Sequence, residues 1–130
     1  MTAGARSSPE PKFIAWKDVE RERLNPSIDR EMVHGQQIML ARVFIKKGGH
    51  VPLHHHANEQ LTYILEGALK FAIAGREIVV RAGETLAIPS GMPHEAWALE
   101  DTLDLDVFTP PREDWLNKTD VYLRKDVPMR

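Results

Sequence analysis

An antiparallel all-β sandwich or barrel is the fold class this sequence predicts, and three observations carry the prediction. Apolar runs of strand length recur at short intervals, most of them stop at a glycine-containing turn, and no helix-length amphipathic segment separates them. A parallel α/β sheet would need alternating helices, so an antiparallel architecture is expected.

In chain order, Met1 to Lys12 is small, polar and proline-bearing, and reads as a flexible tail ahead of a single barrel domain over residues 13–130. Lys17 to Arg30 is densely charged and has room to hold a turn or short helix. Gln37 to Lys47 is rich in Ile, Leu, Val and Phe and ends at Gly48-Gly49, a long strand followed by a turn. Leu61 to Leu65 stops at Glu66-Gly67, Ala68 to Ala74 at Gly75, Glu77 to Arg81 near Gly83, and Thr85 to Ile88 at Pro89-Ser90-Gly91. Most of these gaps are hairpin-sized. His94 to Leu99 and Leu103 to Phe108 complete the series across the charged turn Glu100-Asp101. After Pro110-Pro111 the tail is polar overall, with Trp115, Leu116, Val121 and Tyr122 available to pack on the barrel or on a second subunit.

A chain of 130 residues closes one hydrophobic core and is too short for two. With 17 Lys plus Arg against 19 Asp plus Glu there is no broad basic field, which argues against nucleic acid or an anionic membrane as a partner. No cysteine is present, so there is no disulfide framework and no thiolate ligand; this fits a reducing cytoplasm. Met1 to Lys12 lacks the apolar core of a secretory signal, and the longest apolar stretches, Ile38 to Ile45 and Leu103 to Phe108, are strand-sized. A soluble, cytoplasmic protein is the expectation.

Four of the six histidines, His50, His54, His55 and His56, fall within seven residues. Side chains alternate in an extended segment, so His54 and His56 point one way and His55 the other. Gln60 stands near the start of the next strand where its amide oxygen could complete the same site, with Glu59 as rival. His94 lies far away in sequence and needs barrel closure to join them. Three imidazoles suit one divalent zinc, nickel, iron, copper or manganese ion without choosing among them. The bland alternative is a solvated polar turn plus a satisfied strand histidine; His34 and His50 read as surface or turn residues.

Gly48 to Gly67 reads G-G-H-V-P-L-H-H-H-A-N-E-Q-L-T-Y-I-L-E-G, and Gly83 is followed after five residues by Pro89-x-Gly91-x-x-His94. In that order and at that spacing, the two stretches resemble the two motifs of the cupin superfamily over roughly Gln37 to Pro110. The resemblance implies a jelly-roll barrel. Gln60 stands where a motif glutamate is usual, and Ala98 where an asparagine is expected. Asp106 to Trp115, with Pro52-Leu53-His54 and Asn58-Glu59-Gln60, is similar to the KdgF type of pectin-degradation protein, cupins that convert 4,5-unsaturated uronates into linear ketonised sugars. That likeness implies metal-ligand roles for His54, His56, Gln60 and His94, and catalytic or substrate-binding roles for Asp106, Phe108 and Arg112.

Such chemistry moves protons between oxygen and carbon beside a Lewis-acidic ion, for which Asp106 is the candidate acid/base. Arg112 offers a planar fork for a substrate carboxylate, and Phe108 an apolar surface for a sugar. Asp106 shares a strand face with Asp104 and Phe108, opposite Leu103, Leu105 and Val107, so its functional reading needs the apolar face packed elsewhere. The ordinary roles are a solvated or ion-paired Asp106, a core Phe108, and an Arg112 that braces Glu113 or a second subunit. The leading function is a redox-neutral, metal-dependent enzyme on a small acidic sugar. Its rivals are a dioxygenase of a small aromatic or diketone and a non-catalytic sugar-binding module. About twenty residues follow the barrel, too few for a three-helix DNA-binding domain. Exposed strand edges and an apolar-bearing tail predict a homodimer.

Overall fold

The structure is a computed structural model that describes residues 10–124. Residues 1–9 of the expected tail lie outside the described residues, and Glu10 to Lys12 are exposed without regular structure. Ten strands follow: β1 Glu22–Asn25, β2 Ile28–His34, β3 Met39–Ile45, β4 His50–His54, β5 Glu59–Glu66, β6 Ala68–Ile73, β7 Arg76–Arg81, β8 Thr85–Ile88, β9 His94–Ala98 and β10 Thr102–Thr109. Two single-turn helices, α1 Glu113–Leu116 and α2 Val121–Arg124, end the described chain.

The strands form a six-stranded sheet in the order β1-β2-β3-β10-β5-β8 and a four-stranded sheet in the order β4-β9-β6-β7. Every pairing is antiparallel. Strict alternation on β3 and β10 places Met39, Ala41, Val43 and Ile45 inside with Asp104, Asp106 and Phe108. Between the sheets, Ile64, Leu69, Phe71, Val80, Ile88 and Ala96 fill the core. Gly67, at φ +88°, permits the β5-to-β6 turn: a Cβ there would lie 2.3 Å from the Asp101 carbonyl oxygen.

The charged stretch Lys17 to Arg30 does hold a short 3-10 turn, Trp16–Asp18, and a turn at Pro26 and Ser27, and it also contributes β1 and the start of β2, which the sequence does not announce. Its charges divide between exposed pairs such as Lys17 with Asp18 and a buried one. Arg30 is fully buried and bonds Asp120 at 2.8 Å and Glu22 at 3.2 Å, so this charged strand closes the barrel beneath the C-terminal segment.

Leu103, Leu105 and Val107 lie half-buried on the outer face of the six-stranded sheet. Register sets Leu105 beside Tyr63 and Val107 beside Leu61, both exposed. Asp106 therefore does face the barrel interior, with the apolar face of its strand turned outward.

Candidate metal centre

The register of β4 on β9 places His54 directly opposite His94. His56 follows two residues on, and Gln60 enters from β5 in the other sheet, where it pairs with Phe108. Gln60 is buried while Glu59 is exposed, so of the two adjacent candidates only the amide faces inward. One ligand atom from each of His54, His56 and His94 lies within 4.8 Å of the other two. His55 is exposed, as alternation expects. His34 is exposed at the end of β2, and His50 bonds Glu95 and stacks on Trp97, so neither joins the cluster.

Each ring of the cluster is held from behind. Nδ1 of His54 bonds the Pro52 carbonyl at 2.8 Å, Nδ1 of His56 the Asn58 carbonyl at 3.0 Å, and Nδ1 of His94 the Met92 carbonyl at 2.9 Å. A carbonyl only accepts, so every Nδ1 carries the proton and every Nε2 presents a lone pair. The Nε2 of His94 is buried with no partner. Oε1 of Gln60 stands 3.0 Å from Nε2 of His56 while its amide nitrogen donates to Thr62 Oγ1 at 2.8 Å and to Asp106 Oδ1 at 3.3 Å. Two acceptors thus face each other. A cation among these lone pairs resolves both the orphaned nitrogen and the facing acceptors, and the donor set of three imidazoles and an amide fits a divalent transition metal.

Electrostatics keep the rings ready to ligate. Burial lowers the pKa of His54 to about 3, with the neighbouring His94 adding to it. Burial followed by the Arg112 charge lowers that of His56 to about 4, and burial lowers that of His94. In metal-free protein the ring signals of His54 and His56 should therefore stay in their neutral positions from about pH 7.5 to 5.5, where an ordinary histidine of pKa about 6.5 protonates. Histidine-selective NMR reads this directly; midpoints near the ordinary value would contradict the geometry.

Asp106 is buried and accepts from the Thr62 hydroxyl at 2.8 Å. Burial raises the pKa of both Asp106 and Asp104, that of Asp104 further because Asp106 stands beside it. Asp104 was not among the residues the sequence singled out, although its place two residues before Asp106 on the same strand face is the signal that finds it. Its Oδ1 is buried without a partner.

Phe108 is buried, edge-on to the His56 ring at 5.6 Å and to Trp115 at 4.9 Å. Arg112 is buried over Phe108 and Trp115, but its fork is already engaged: Nε and Nη2 bond Asp114 at 2.9 and 2.8 Å. Only Nη1 is without a partner. The brace is Asp114, where the sequence suggested Glu113. These groups line a cavity of about 40 Å³, room for a water or two. Tyr122 completes the wall, stacked on His54 at 4.5 Å.

The family model for the cupin domain, Cupin_2, matches residues 41–109, just over half of the chain. The pectin degradation protein KdgF of Dickeya dadantii is 26% identical over 98 residues, covering 73% of this chain and 89% of that protein. An oxalate-binding protein of Thermotoga maritima is 30% identical over 81 residues, 62% of this chain and 64% of that protein. The structure of KdgF from Halomonas sp. superposes with a TM-score of 0.77 at 27% identity, covering 82% of this chain and 99% of that one. With two antiparallel sheets around an inward-facing histidine cluster, the chain belongs to the Cupin_2 family and is a KdgF-like cupin.

Proposed function

We propose that this cupin is a metal-dependent, redox-neutral enzyme that linearises 4,5-unsaturated uronates, with His54, His56, Gln60 and His94 as the ligands of one divalent ion. The observation that carries the reading is the set of inward-facing lone pairs beside a buried carboxylate: three Nε2 atoms, Gln60 Oε1, and Asp106 linked to that same glutamine. When bound, the ion supplies Lewis acidity with no change of oxidation state.

The chain's own groups account for the rest. The reaction is an isomerisation: the anomeric hydroxyl loses a proton, the ring C–O bond opens, and a proton is added to the carbon at the far end of the former double bond. Asp106 is the proton carrier: burial raises its pKa, so it holds a proton more readily than an exposed carboxylate does. Asp104 lies beside it in the same water-poor space. The free Nη1 of Arg112 is the donor for a substrate carboxylate, while Asp114 fixes the guanidinium plane. Phe108 borders the His56 ring and lines the same cavity, offering apolar surface to a sugar.

Loss of the conjugated absorbance of unsaturated galacturonate on adding purified protein is the expected result. Chelation should abolish it, and zinc, nickel, manganese or iron should restore it unequally. Full activity in metal-free protein would overturn the reading. The oxalate-binding relative favours one alternative, a non-catalytic binder of small acids, which would bind oxalate and leave the uronate unchanged. The outer apolar face at Leu61, Tyr63, Leu105 and Val107 supports pairing with a second copy. Light scattering should then give about twice 14.8 kDa, and a mass near 14.8 kDa would refute the dimer.

A further inference from the structure

His54 and His56 are half-buried, but the space lined by His94 and Arg112, whose Nε2 and Nη1 are fully buried, is about 40 Å³ and holds a water or two, so one of its walls has to yield before a larger molecule fits there. Its lining is of two kinds. Fourteen of the eighteen lining residues lie on strands tied into the two sheets, whereas Arg112, Trp115, Tyr122 and Leu123 come from the segment after β10. Opening a strand wall would break sheet hydrogen bonds; moving a side chain of the segment would not.

Within that segment three of the four are anchored. Arg112 is held by Asp114 through two bonds, and Trp115 and Leu123 are buried. The Leu123 carbonyl accepts from Asn25 at 2.8 Å, and the neighbouring Asp120 is buried against Arg30. Tyr122 differs. It is only half-buried, its ring lies flat on His54 with 21° between the planes, and its hydroxyl accepts from Arg112 Nη2 at 2.9 Å and Trp115 Nε1 at 3.2 Å. Ring and hydroxyl are both held by residues of the site itself.

We infer that Tyr122 is the residue that decides what reaches the metal centre: its side chain covers His54, is latched by Arg112 and Trp115, and swings outward to admit an incoming ligand. The swing removes one partner from Arg112 Nη2 beside the free Nη1, so an entering carboxylate takes over the place of the tyrosine hydroxyl on the guanidinium. The inference rests on the metal reading above and not on the identity of the substrate.

The test uses the full chain loaded with cobalt(II) and free imidazole as the probe, read by the visible absorption of the metal. Imidazole is larger than this space, so its apparent affinity is the intrinsic one scaled down by the fraction of time Tyr122 is swung outward. Tyr122→Phe removes the latch and keeps the ring, and should raise the affinity severalfold; Tyr122→Ala removes the cover and should raise it about tenfold or more. Val121→Ala, an exposed neighbour on the same helix, should leave it unchanged. Equal imidazole affinity in wild type, Tyr122→Phe and Tyr122→Ala, all binding cobalt, would overturn the gate alone. Wild-type protein that takes up no cobalt would sink the metal reading and the gate with it.

Discussion

Replacing His94 with alanine should strip the protein of its metal while leaving it folded. The ring is buried between the sheets, opposite His54, and its Nε2 is fully buried with no hydrogen-bond partner among the described residues. His94 also brings the second sequence motif to the first, so its loss leaves two imidazoles and an amide as candidate ligands. Outer-shell substitutions at metal sites commonly cost about ten- to a hundredfold in affinity, and a ligand imidazole should cost more than that. The fold should survive because the ring replaces no strand hydrogen bond and faces an existing cavity. Metal content per chain after dialysis, with circular dichroism as the control, measures both halves. A His94→Ala chain that retains stoichiometric metal would remove this residue from the ligand set.

Asp106→Asn should do the reverse, keeping metal and losing turnover by about a hundred- to ten-thousandfold, the range of a missing general acid or base. The distinction follows from the contacts. Asp106 Oδ1 accepts from Thr62 and from the Gln60 amide, and an asparagine oxygen can accept from the same two donors. Gln60 thus keeps its oxygen toward His56, and only the transferable proton is gone. Paired measurements of metal content and of double-bond loss separate the effects. Unchanged turnover would take Asp106 out of the mechanism, and loss of metal would make it a support for Gln60 instead.

Much of this arrangement is legible before any coordinates because it depends on short-range pattern. Strand alternation alone sends His54 and His56 inward and His55 outward, and the glycine-ended apolar runs give β3 and β5 to β10 to within a few residues. Alternation also predicts that Asp106 and the apolar Leu103, Leu105 and Val107 face opposite ways. What pattern cannot supply is the partner of a charge. Arg30 reads only as one residue of a densely charged stretch because Asp120, its partner, is distant in sequence; the closed barrel makes a buried pair of them, and β1 and β2 go unread in the sequence. The engagement of Arg112 by Asp114 is local in sequence, yet it depends on the turn into α1 that follows Pro110-Pro111. Tyr122 reads as packing in a polar tail, and its flat contact with His54 exists only because α2 packs against β1 and β4.

Anomalous diffraction from crystals of untagged protein, with the element identified by X-ray fluorescence, tests the central claim most directly. One peak per chain is expected, about 2.0 to 2.2 Å from Nε2 of His54, His56 and His94 and within bonding reach of Gln60 Oε1. A peak elsewhere, or a His94 ring turned away from an ion held by the other two, would contradict it.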